Sequence, residues 1–205
     1  KKFLTAVIDL MAAFPSILYG LWGYFVVMPL VIYWAKLLYK YLGFIPIFNV
    51  PQQFYERSPF LAGIVLAIMI IPIVTSVSRE IFSQTPLDRI QAAYALGSHR
   101  WGMVRAVAFP YARGGIVGGA MLGLGRAMGE TVAVYTVLNI VYQVNWHVLL
   151  GAGGNVASMI LLKFGEAGPL EVKALMAAGL ILFLVTLAVN SLANFIVAKT
   201  GKGGR

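Results

Sequence analysis

Three stretches without a charged residue, Leu10 to Ala35, Phe60 to Ser78 and Ala174 to Ala198, decide what this chain can fold into. Each is long enough, as helix, to cross a hydrocarbon core of about 30 Å. With 60% hydrophobic and 11% charged residues, the chain also has too few charges to clothe a soluble globule of 205 residues. The expected fold is all-α, a polytopic transmembrane bundle, because a helix satisfies its own backbone in lipid. A fourth uncharged interval, Gly114 to Gly125, is too short alone. The third of four crossings therefore has to run over 111–142, carrying Arg126 and Glu130 into the bilayer.

Charge distribution sets the expected topology. Lys1, Lys2, Arg79, Arg89, Arg100, Arg105, Arg113, Lys199, Lys202 and Arg205 fall at the two ends and in one polar island. Lys36, Lys40, Arg57, Lys163 and Lys173 fall in the opposite loops. That bias puts the island and both ends of the chain in the cytoplasm. It also accounts for the net charge of +9 without nucleic acid, since no basic-aromatic groove pattern is present. No cysteine is available for thiolate chemistry, and no G-x-x-x-x-G-K-[S/T] loop is present to bind ATP. The chain is expected to need no cofactor or metal and to catalyse no reaction itself.

Prolines and glycines divide the single domain, 1–205, into segments. Over 1–41, an interfacial helix is followed by a crossing, with a break at Phe14-Pro15 and a kink at Pro29. A proline-containing outer loop leads to the crossing at 60–83, where Thr75 and Ser76 follow Pro72. These hydroxyls either back-bond to loosened helix carbonyls or line a polar path. The outer segment 143–172 contains a short helix capped by Asn155, and the last crossing spans 173–198 with Asn190 and Asn194 one turn apart as interhelical hydrogen-bond partners. A frayed cytoplasmic tail is expected over 201–205. The absence of an initiator Met suggests a missing N-terminal part.

The polar island, Arg79 to Arg113, holds a cytoplasmic coupling loop over 84–110 that reads as a docking device. Thr85 is an N-cap candidate, Pro86 suits the first helical position, Asp88 lies three after the cap, and Gly97 ends the helix. Ser98 then starts a second short helix that Pro110 stops. Leu87, Ile90, Tyr94 and the small Ala92 and Ala93 are expected to meet a partner's groove, beside Gln91 and Gly97. The alternative is an amphipathic helix resting on the membrane.

Gln91-Ala92-Ala93, then Gly97, then Val107-Ala108-Phe109-Pro110 resembles the loop by which permease subunits of ABC importers dock their ATPase. The family usually has Glu where this chain has Gln91, and Leu where it has Phe109. Gly125-Arg126-Ala127-Met128-Gly129-Glu130-Thr131 and Pro15-Ser16-Ile17-Leu18-Tyr19-Gly20-Leu21-Trp22-Gly23 are similar to the C-type permease subunits of bacterial phosphate-specific (Pst) importers. The resemblance implies a type I importer fold, usually with six crossings, of which this chain would hold the last four. It implies a multi-pass protein of the bacterial inner membrane, with a second permease as a heterodimer partner, two ATP-binding cassette ATPases and an extracytoplasmic phosphate-binding protein. It further implies phosphate as cargo, with Arg126, Glu130 and the adjoining Thr131 in its path.

An arginine near a membrane helix centre costs about 2.5–3.5 kcal/mol, so its presence needs a reason. Glu130 follows at i+4, which on one continuous helix places the two side chains together. The functional reading is a gate, in which phosphate takes guanidinium donors from Glu130. The structural reading is a fixed pair that orients the helix. Permeases for molybdate or sulfate remain an alternative, as does an anion channel or scaffold without an ATPase.

Overall fold

Proline and glycine punctuate the helices much as the sequence leads one to expect. In the computed structural model, which describes residues 2–201, Phe14-Pro15 separates α1 (Lys2–Ala13) from α2 (Ser16–Trp22). A π turn, Gly23–Val27, then carries α2 directly into α3 (Met28–Leu42). Pro29 has no N–H to offer the Phe25 carbonyl, and its ring crowds that carbonyl. The wider turn relieves both, and the Met28 N–H reaches back to the Gly23 carbonyl.

The same device sits before Pro110. Helices α5 (Leu87–Ala95) and α6 (Arg100–Met103) are followed by a second π turn, Val104–Ala108, that opens into α7 (Phe109–Met128). The Phe109 N–H bonds the Val104 carbonyl. Pro110 therefore does not stop the second loop helix, contrary to the sequence expectation. The helix widens by a residue and continues.

Three helical segments are long and apolar enough to cross a membrane: Ser16–Leu42, Pro59–Ser83 (α4) and Pro169–Phe195. The last lies within α10 (Pro169–Gly201), and the expected tail beyond Gly201 is outside the described residues. α7 is 20 residues long but rich in glycine and is not one of the three.

The expected helix over 111–142 is interrupted. α7 ends at Met128, and after Gly129-Glu130-Thr131 a short α8 (Val132–Val137) begins. A tightened turn closes the break, with the Glu130 N–H donating to the Ala127 carbonyl at 3.2 Å. Gly129 is a poor helix residue, and β-branched Thr131 and Val132 follow it. Beyond α8 the chain is irregular. The Gly153 N–H donates to the Asn139 carbonyl at 2.9 Å, and the Val141 N–H to the Gly153 carbonyl at 2.8 Å. The helix α9 (Val156–Phe164) is capped as expected, Asn155 Oδ1 accepting the Ala157 N–H at 3.0 Å.

Packing groups the chain into two compact units. The unit formed by Ala13–Met69 and Ala127–Val185 has α2 against α8, with Tyr19, Val27, Leu61, Val65, Val134 and Val137 buried. Glycine permits the close approach: a Cβ on Gly20 would lie 3.0 Å from Ala133 Cα. Arg57, expected only as an outer-loop cation, holds the end of α8. Its Nη2 donates to the Tyr135 and Leu138 carbonyls, each at 3.2 Å. Nearby, Ala35, Val50, Tyr55 and Leu149 form a buried cluster. Burial, helped by Tyr39, pushes the Tyr55 phenol above its ordinary range.

The other unit comprises Lys1–Ala12, Ile70–Arg126 and Thr186–Arg205. Here α4 and α7 cross through glycine. Cβ atoms on Gly115 and Gly119 would come within 2.6 Å of Ile81 and 3.0 Å of Val77, and Gly123 faces Ile70 and Val74. The G-x-x-x-G spacing of Gly115, Gly119 and Gly123 lets the two helices approach this closely. Asp9 of α1 pairs with Arg79 near the end of α4 at 3.2 Å.

Gly20→Ala should overpack α2 against the α8 backbone and cost about 1–3 kcal/mol. Gly63→Ala, with nothing within 4 Å of the new Cβ, should be neutral or stabilising by up to about 1 kcal/mol. Thermal unfolding of the two variants in detergent measures the contrast.

Candidate functional site

α7 presents two faces within its unit. Gly115, Gly119 and Gly123 point to α4, while Gly118, Leu122 and Gly125, at helical spacing, border an open groove of about 620 Å³. Arg126 lies in this second lining with Met121, Ile73 of α4, and Asn190 and Asn194 of α10. By helical spacing Arg126 shares the face of Gly119 and Gly123, and it also reaches the groove lining. A Cβ on Gly125 would stand 3.0 Å from Asn190 Oδ1, so glycine there lets the amide approach the α7 backbone.

Arg126 is exposed and makes no ion pair or hydrogen bond among the described residues. Its guanidinium donors and two side-chain amides therefore border a single opening suited to an oxyanion. Thr75 and Ser76 are half-buried on α4, but Ile73 is the α4 residue in the lining.

Glu130 has a different setting. The helical register that would bring it beside Arg126 ends at Met128, so the i+4 argument for a side-chain pair does not apply. Glu130 is 8% exposed, and its Oε1 accepts the Ala133 N–H at 3.1 Å at the start of α8. Its own carbonyl accepts from Asn155 Nδ2 at 2.9 Å. Thr131 turns its hydroxyl back to the Gly129 carbonyl at 3.2 Å, and its carbonyl accepts from Ser158 Oγ at 2.8 Å.

The loop expected to dock a partner is shaped by the C-terminal end of α5. Gly97 has φ +80°, its N–H donates to the Tyr94 carbonyl at 2.9 Å, and the Ser98 N–H donates to the Ala93 carbonyl at 3.1 Å. This is a Schellman motif, and it realises the stop predicted at Gly97. The N-cap differs from expectation. Pro86 occupies the cap position of α5, while the buried Thr85 donates its hydroxyl to the Phe82 carbonyl at 2.9 Å, closing α4. Of the predicted contact residues, Leu87, Gln91, Ala92 and Tyr94 are exposed; Ile90 is half-buried and Ala93 buried. Ile90 and Ala93, three apart, share the face that turns inward as α5 packs on α6 and the second π turn. Leu96, absent from the sequence-based set, is 89% exposed beside Leu87 at 70%.

Residues 1–202 fit the family described as binding-protein-dependent transport system inner membrane component. The chain belongs to this family. The chain is 45% identical over 201 residues to the phosphate transport system permease protein PstC 2 of Mycobacterium tuberculosis, covering 97% of this chain and 62% of the relative. It is 43% identical over 209 residues to PstC of Mycobacterium leprae, covering 100% and 64%, and 41% identical over 207 residues to PstC of Haemophilus influenzae, covering 97% and 64%. The chain thus spans somewhat under two thirds of the length of these permease proteins. No solved structure matches it.

Sequence reasoning read Asn190 and Asn194 as helix-to-helix hydrogen-bond partners, and the structure places both in the lining of the Arg126 groove. Their i, i+4 spacing is the signal that would have found them, had it been set beside Gly118, Leu122 and Gly125.

A Cβ at Gly97 would meet nothing within 4 Å, so backbone conformation alone resists substitution there. Gly97→Val should cost about 1–2 kcal/mol and Gly97→Asn less. Amide exchange over residues 93–98 should show protection falling in that order.

Proposed function

We propose that this protein is a permease subunit of an ATP-driven importer that carries inorganic phosphate through the bacterial inner membrane. The observation that carries the reading is the groove in which Arg126 lies with Asn190 and Asn194, unpaired among the described residues. Its relatives, phosphate transport system permease proteins, supply the cargo class. Arg126 is the anion contact, offering two parallel N–H donors to phosphate oxygens. Glu130 and Thr131, at the break between α7 and α8, are further residues of the anion path.

Transport proceeds by alternating access. A second permease completes the path as a heterodimer, and an extracytoplasmic binding protein delivers phosphate. Two ATPase subunits hydrolyse ATP and act on α5 from the cytoplasm, where both ends of this chain also lie. Leu87, Ala92, Tyr94 and Leu96 form the exposed docking face, with Gln91 among them. An apolar helix face of this kind suits a groove on a partner.

Uptake of radiolabelled phosphate tests the path. At equal membrane abundance, Arg126→Gln and Glu130→Gln should each lower uptake about tenfold or more, and Arg126→Lys should retain part of it. Wild-type uptake in both glutamine variants eliminates the reading. Competition by molybdate or sulfate equal to that by unlabelled phosphate would reassign the cargo to another oxyanion.

The docking face has its own test. Leu87→Glu and Leu96→Glu should reduce ATPase co-purification about fivefold or more without changing the thermal unfolding of the permease. Retention of the ATPase by both variants would place docking elsewhere.

A further inference from the structure

The break at Gly129-Glu130-Thr131 interrupts the helix beside a buried carboxylate, and the first turn of α9 grips it. Asn155 does two jobs with one amide. Its Oδ1 accepts the Ala157 N–H at 3.0 Å and starts α9, while its Nδ2 donates to the Glu130 carbonyl at 2.9 Å. One turn later, the fully buried Ser158 donates its hydroxyl to the Thr131 carbonyl at 2.8 Å. Two consecutive carbonyls at the break are thereby tied to α9.

The carboxylate is fixed from its other side. Glu130 Oε1 accepts the Ala133 N–H at 3.1 Å, which leaves Oε2 without a hydrogen-bond partner among the described residues. The backbone of Glu130 is held by α9, and its side chain by α8. Neither hold neutralises the charge, because every donor involved is an amide or a hydroxyl.

We propose that Asn155 and Ser158 are positioning residues for phosphate transport, bracing the Gly129–Thr131 break so that the Glu130 carboxylate keeps one free oxygen in a fixed direction. The inference rests on the reading that Glu130 belongs to the anion path. It assigns the outer helix α9 a part in cargo handling rather than only in covering the outer loops. The two jobs of Asn155 are separable, since a helix cap needs only an acceptor, whereas the tie to Glu130 needs a donor with the reach of an amide.

The experiment is phosphate uptake by the full-length permease assembled with its partners, with KM, maximal rate and membrane abundance measured for each variant. Asn155→Ser keeps a capping oxygen for α9 and loses the tie to Glu130. It should raise the KM for phosphate about fivefold at unchanged abundance. Ser158→Ala should act in the same direction, and Ser158→Thr, which keeps the hydroxyl, should restore most of the loss. In a Glu130→Gln background, Asn155→Ser should shift KM by less than about twofold, because the residue it positions is already altered. Wild-type KM in Asn155→Ser and Ser158→Ala, with uptake impaired in Glu130→Gln, overturns the brace alone. So does a loss confined to abundance, or an undiminished effect of Asn155→Ser in the Glu130→Gln background. Wild-type uptake in Glu130→Gln instead overturns the underlying role of Glu130 and the brace with it.

Discussion

Backbone carbonyls that lose their helical partners have no water to turn to in lipid, and much of this fold is the settlement of that problem. Ahead of Pro29 and Pro110 the chain settles it internally, through π turns in which an N–H reaches five residues back. At the Gly129–Thr131 break it recruits side chains, Asn155 and Ser158, from another helix. At the end of α8 it recruits Arg57 from the loop before α4. These side chains come from segments that lie outside the long apolar helices, so those segments are structural members of the fold rather than connections.

Glycine governs the second theme. On α7 one set of glycines admits α4, and a different set leaves space at the Arg126 groove. The groove lining and the close helix packing thus share one short helix. The cost of carrying so many glycines is low intrinsic helicity, and the helix does end at Met128, just before Gly129.

The sequence was most legible where one residue type has one physical role. Charge-free intervals gave the long helices, Gly97 the end of α5, Phe14-Pro15 the first break, and Asn155 the start of α9. It was least legible where a residue has a choice of partners. Thr85 was read forward as a cap on α5 and in fact faces back to Phe82; Pro110 was read as a stop and is bypassed. The i+4 spacing of Arg126 and Glu130 implied a side-chain pair only on the assumption of a continuous helix, and that assumption fails at Gly129. Ala93 shows the same limit in α5. The motif draws attention to it, but only the packing of α5 on α6 reveals that it faces inward.

The π turn at Val104–Ala108 has a consequence for the groove some way along the chain. One additional residue in a turn rotates everything after it by about 100° relative to an uninterrupted α-helix. The azimuth of Gly115, Gly119 and Gly123, and of Arg126 beyond them, is therefore set at the base of the 84–110 loop. In evolutionary terms, a one-residue deletion there is far more disruptive than any single replacement, because it would swing the cationic side chain off the opening and drive bulkier positions into the α4 seam.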